Sequence, residues 1–116
     1  MKKPVILTAI ALAGALTLSA YTVAANADPA KPSVELGKKL FSDPKLGTNG
    51  SSCSTCHFSE EKIGELAGRD TWFKGKAKTL EQAINFCIKG PLDGKPLPED
   101  SVELRSIAMY MKSLIK

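Results

Sequence analysis

The sequence predicts a small all-α domain with long loops. Three observations carry this. No stretch keeps the apolar–polar alternation of a strand, three stretches set apolar residues at helical spacing behind a capping Ser or Thr, and Gly and Pro crowd the segments between them. Three main helices are expected, near residues 34–41, 80–89 and 101–115.

The chain opens with an export signal. Met1-Lys2-Lys3 is a short positive start, Val5 to Ala20 is an apolar run, and Ala25-Asn26-Ala27 has the small-x-small pattern of a cleavage site. Residues 1–27 are expected to be a signal peptide cleaved after Ala27. The alternative, an uncleaved membrane anchor, is disfavoured by the short apolar run. No membrane association is then expected after cleavage. Residues 28–116 form one domain, and the formal charge of +4 drops when Lys2 and Lys3 leave. That modest charge gives no reason to expect nucleic acid as a partner.

In the first helix Ser33 is the N-cap and Val34 to Phe41 the body. Leu36 and Leu40 lie four apart with Gly37 and Phe41 one step round, and Gly37 permits another helix to cross closely. Ser42-Asp43-Pro44 stops the helix, and Leu46 to Gly50 is loop chemistry.

Next comes Cys53-Ser54-Thr55-Cys56-His57. Two thiols three positions apart can form thioethers with the two vinyl groups of one haem, and the imidazole that follows can bind the iron. One covalent haem c is therefore expected, held by Cys53 and Cys56 with His57 as an axial ligand. A redox dithiol would want a strand-rich context, and a zinc site would want more ligands. His57 is the only histidine and Cys87 the only other cysteine. A chain of this size has a marginal core, so the haem is expected to form a large part of it.

From Ser59 to Lys78 periodicity is weak, and loops with short helical turns are expected. Trp72-Phe73 is the largest aromatic block. Trp72 is expected against the porphyrin, with an indole N–H bond to a propionate as the sharper option. Lys74, Lys76 and Lys78 alternate with small residues, as a solvated face or as a docking patch for an acidic partner. Thr79 caps the second main helix, Leu80 to about Lys89, and Pro91 to Pro98 is a turn-rich loop. The last helix, Ser101 to Ile115, has Leu104, Ile107, Ala108, Met111, Leu114 and Ile115 as its inward stripe. Tyr110 at the edge of that stripe is placed to meet Phe41 and Gly37.

The second axial ligand has four candidates. No second histidine exists, and Phe58 to Ala108 contains no methionine. Met111 is on the core stripe of the last helix, with Met109 turned away. On the Leu80–Lys89 helix, Leu80, Ala83, Ile84, Cys87 and Ile88 share a face, while Asn85 is roughly 160° from Cys87 at about 100° per residue. An unpaired thiol in an oxidising compartment also needs an account. Cys87 is thus favoured, with a vacant or water-filled position, Met109 or Met111, and Asn85 as the alternatives.

Gly37-Lys38-Lys39-Leu40-Phe41, the Cys53–His57 motif and Ala108-Met109-Tyr110 before Leu114 together resemble class I c-type cytochromes over nearly the whole of residues 28–116. More narrowly, Ile84 to Ile88 followed by Gly94-Lys95-Pro96-Leu97-Pro98 and Asp100-Ser101 resembles a branch with a cysteine axial ligand. That branch includes thiosulfate dehydrogenases and small heterodimeric His/Cys cytochromes. The resemblance implies a class I cytochrome fold and His57/Cys87 ligation. The export signal makes the expected location periplasmic, and because a thiolate stabilises ferric iron the expected role is electron transfer at low potential, open to CO or NO when reduced. The resemblance also implies a redox partner protein, either a second small c-type cytochrome subunit or a second copy. The chain is expected not to be an enzyme in its own right, although a catalytic role within a sulfur-oxidising complex stays open. The rival readings are a haem subunit of a thiosulfate-oxidising enzyme and an ordinary His/Met shuttle.

Overall fold

The computed structural model of the chain describes residues 31–116. The expected signal peptide and its cleavage point after Ala27 lie outside the described residues. Within them are five helices and no strand: α1 (Val34–Phe41), α2 (Cys53–Cys56), α3 (Glu60–Ala67), α4 (Leu80–Lys89) and α5 (Val102–Ser113). Among these residues, β-type pairing amounts to one isolated bridge between Trp72 and Ala77. The fold is all-α, as expected.

The framework is the crossing of α1 and α5, the most extensive packing between helices. Ser33 caps α1, its Oγ accepting from the Leu36 N–H at 3.1 Å. Its own N–H donates to Ser106 Oγ of α5 at 3.0 Å, which gives that fully buried hydroxyl a partner. At Gly37 the backbones come too close for a side chain. A Cβ there would overlap the Ser106 carbonyl oxygen and approach Tyr110 Cβ to 2.8 Å. One turn on, the Phe41 and Tyr110 rings meet edge to face at 5.3 Å and 63°.

Where loops and short turns were expected after His57, α3 is a full two-turn helix. Ser59 caps it by accepting from the Lys62 N–H, and Glu60 and Glu61 sit where the positive end of the helix dipole favours them. Its buried face is Ile63, Gly64 and Ala67. The two small residues let α3 lie flat against the end of α5, with Gly64 on the Leu114 carbonyl.

Helix α4 is capped by Thr79, whose Oγ1 accepts from the Gln82 N–H at 3.1 Å, and buries Leu80, Ala83, Ile84 and Ile88. The loop after it folds back onto the loop before α2. The Thr48 N–H donates to the Leu92 carbonyl at 2.9 Å, and Asn49 Nδ2 donates to the Pro91 carbonyl at 2.8 Å. Leu104, Ile107, Ile63 and Ile88 form the fully buried centre.

Candidate haem-binding site

A cavity of about 360 Å³ opens between α2, α4 and α5, within the range of small-molecule sites. Its wall is largely apolar and contains Cys53, His57 and Cys87 together. Three elements place them. The single turn of α2 is fixed at its start by the Ser52 N–H donating to Thr55 Oγ1 at 2.9 Å. The turn buries Cys53, leaves Cys56 at the surface, and ends with the His57 N–H on the Cys53 carbonyl at 2.9 Å, so His57 leaves the helix at the cavity wall. Helix α4 faces this turn with Leu80, Ala83, Ile84 and Cys87.

Burial pushes the Cys53 thiol up to about 12, with the Cys87 sulfur adding to the shift. Burial also raises Cys87, and there the Cys56 sulfur is the second cause. Two of the three sulfurs, Cys53 and Cys87, line the one cavity, and Cys56 lies exposed three residues on from Cys53. In such surroundings a bare thiolate is disfavoured, whereas coordination to a metal cation deprotonates a thiol outright.

The other ligand candidates separate by position. Asn85 is fully engaged elsewhere: its Nδ2 donates to the Leu97 carbonyl and its Oδ1 accepts from the Leu97 N–H, both at 2.8 Å. Met109 is 40 % exposed and absent from the wall. Met111 is buried and lines the cavity from α5, as expected of the stripe.

Trp72 is buried in the cavity wall. Its indole N–H donates to the Leu66 carbonyl at 2.7 Å, so that group is already satisfied and does not wait for a propionate. The residue placed for such a carboxylate is Arg69, exposed and at the cavity's edge. The sequence held little signal for it beyond its being one of two arginines. A guanidinium fork nevertheless matches a carboxylate well.

The residues present fit a c-type haem. An apolar cavity carries the His57 imidazole and the Cys53 and Cys87 thiols in its wall, and the second thiol of the motif, Cys56, is exposed at the other end of the same helical turn.

The chain is similar to the di-haem cytochrome c peroxidase family, whose model matches residues 31–86. The matched stretch contains the whole Cys53–His57 motif and ends one residue before Cys87, so it bears on the attachment site and not on the narrower cysteine-ligated branch. No curated protein and no solved structure matches the chain significantly. The match overturns one expectation, that the chain is not an enzyme: the family is named for a peroxidase, which is an enzyme class. Motif, cavity and match all support the binding of haem c at this site.

Proposed function

We propose that the chain is a periplasmic c-type cytochrome with a single haem, tethered by Cys53 and Cys56 and ligated by His57 and Cys87, that exchanges electrons at low potential with a redox partner. The carrying observation is that Cys87 shares the cavity wall with Cys53 and His57 while Asn85 is bonded to Leu97. The count of one haem rests on the single CxxCH motif. When bound, haem c supplies a one-electron iron couple. The protein's own residues set its value. The Cys87 thiolate brings negative charge, which favours the ferric state and lowers the potential, and the apolar wall around Ile84 and Trp72 keeps water away. Arg69 offsets a propionate charge. Cys87 would hold a ferrous centre less firmly than a ferric one, so the reduced, haem-loaded protein would be open to CO or NO at the Cys87 side.

The family match favours a second reading, in which this haem serves a peroxide-reducing enzyme. These 116 residues have one attachment motif and one histidine, so a second haem would be held by residues outside them.

Potentiometric titration tests the thiolate's part. Replacing the thiolate in Cys87→Ala should raise the midpoint potential by on the order of 100 mV, given the span that axial ligands control. An unchanged midpoint would contradict the assignment.

A further inference from the structure

Charge is unevenly spread over the molecule. Between positions 69 and 89 stand five cations, Arg69, Lys74, Lys76, Lys78 and Lys89, against two carboxylates, Asp70 and Glu81. The rest of residues 31–116 holds nine basic and nine acidic side chains, so the positive excess lies in this one stretch. All five cations are exposed. Among the described residues the one salt bridge is Lys62–Glu65 on α3, which leaves the five without ion-pair partners there.

Two exposed aromatic rings stand among these cations. Phe73 is 46 % and Phe86 43 % exposed, and they stack at 5.0 Å with 23° between planes. Phe73 also lines the cavity and Phe86 of α4 stacks on it, so the pair sits at the cavity's edge. The backbone beneath is strained. Phe73 and Lys74 have φ of +52° and +57° at the centre of a turn closed by the Gly75 N–H on the Trp72 carbonyl at 3.0 Å. Such a turn prefers Asn-Gly. A Phe-Lys pair in its place holds a ring and an ammonium outward against the local steric preference, a pattern found where a surface is used.

We propose that this face docks an acidic redox protein, with the Phe73–Phe86 stack as its apolar centre and Lys74, Lys76, Lys78 and Lys89 meeting a rim of carboxylates, while Arg69 at the cavity's edge is kept for a haem propionate. This rests on the electron-transfer reading above. Two copies paired symmetrically through the face would set four lysines against four, so the occupant is a partner of opposite charge. Docking at the cavity's edge also brings the two redox centres close.

The test is stopped-flow reduction of the haem-loaded protein by a reduced acidic flavodoxin, with dithionite as a small reductant in parallel. Three variants join the wild type: Lys74→Glu/Lys76→Glu/Lys78→Glu, Phe73→Ser/Phe86→Ser, and a control of equal charge change on α1 and the following loop, Lys38→Glu/Lys39→Glu/Lys45→Glu. The flavodoxin rate for the wild type should fall about tenfold between about 10 and about 300 mM ionic strength. The 74/76/78 variant should be about tenfold slower at low salt and lose that dependence, the control should keep most of the rate, and the Phe variant should slow at every salt concentration. A rate flat in ionic strength, or equal slowing in both triple variants, overturns the docking face. If dithionite reduces all the lysine variants alike while this happens, the electron-transfer reading survives alone. A haem that dithionite leaves oxidised overturns that reading and the docking face with it.

Discussion

Asn85 and Cys87 are two positions apart on α4 and do opposite work. Asn85 uses both ends of its amide on the backbone of Leu97 and so pins the proline-rich loop to the helix, while Cys87 faces the cavity. Asn85→Ala should cost about 1–3 kcal/mol, the usual result of stripping partners from part-buried backbone groups. It should leave the haem absorption spectrum as it was. A thermal melt and a visible spectrum of the same sample check both halves. Cys53 sits deepest of the three sulfurs, and burial pushes its thiol up to about 12. The helical-face pattern separates Cys87 from Asn85 because both lie on a regular helix, and in the structure one lines the cavity while the other bonds Leu97. It could not reveal that Trp72 spends its N–H on the Leu66 carbonyl, since that bond joins an irregular turn to the end of α3.

Helices α1, α4 and α5 were legible because each has a capping hydroxyl and an aliphatic stripe, and Gly37 announced the crossing with α5. Helix α3 was not, because its inward residues include Gly64 and Ala67, which fit the helix against Leu114 but carry little hydrophobic signal. The clasp between residues 48–49 and 91–93 was equally silent, being made largely to backbone carbonyls. Two substitutions probe these elements. Gly37→Ala drives a methyl into the Ser106 carbonyl and should cost about 1–3 kcal/mol or prevent folding, read as a lowered Tm. Lys74→Gly removes a left-handed residue that costs about 1–2 kcal/mol. Part of that gain is lost to glycine's freedom in the unfolded chain, so a net stabilisation of about 0.5–1 kcal/mol is expected by the same melt. A destabilised Lys74→Gly protein would contradict the strained geometry of the turn.

Over the whole molecule, the crossing of α1 and α5 forms one wall and α4 another, with the attachment turn α2 set between them. The core of so small a chain is marginal without its cofactor, so covalent attachment and folding reinforce each other. The residues of the CxxCH motif were fully legible because spacing alone defines their chemistry. The use made of the haem was less so: the resemblance to class I cytochromes implied a carrier, whereas the match over residues 31–86 points to a family of enzymes. Both leave the iron's second axial position as the feature on which function turns. Electron paramagnetic resonance of the ferric protein, wild type beside Cys87→Ser, examines that position directly. The expected result is a low-spin thiolate signal in the wild type that is lost in Cys87→Ser and retained in Asn85→Ala; a spectrum indifferent to Cys87→Ser would contradict His57/Cys87 ligation.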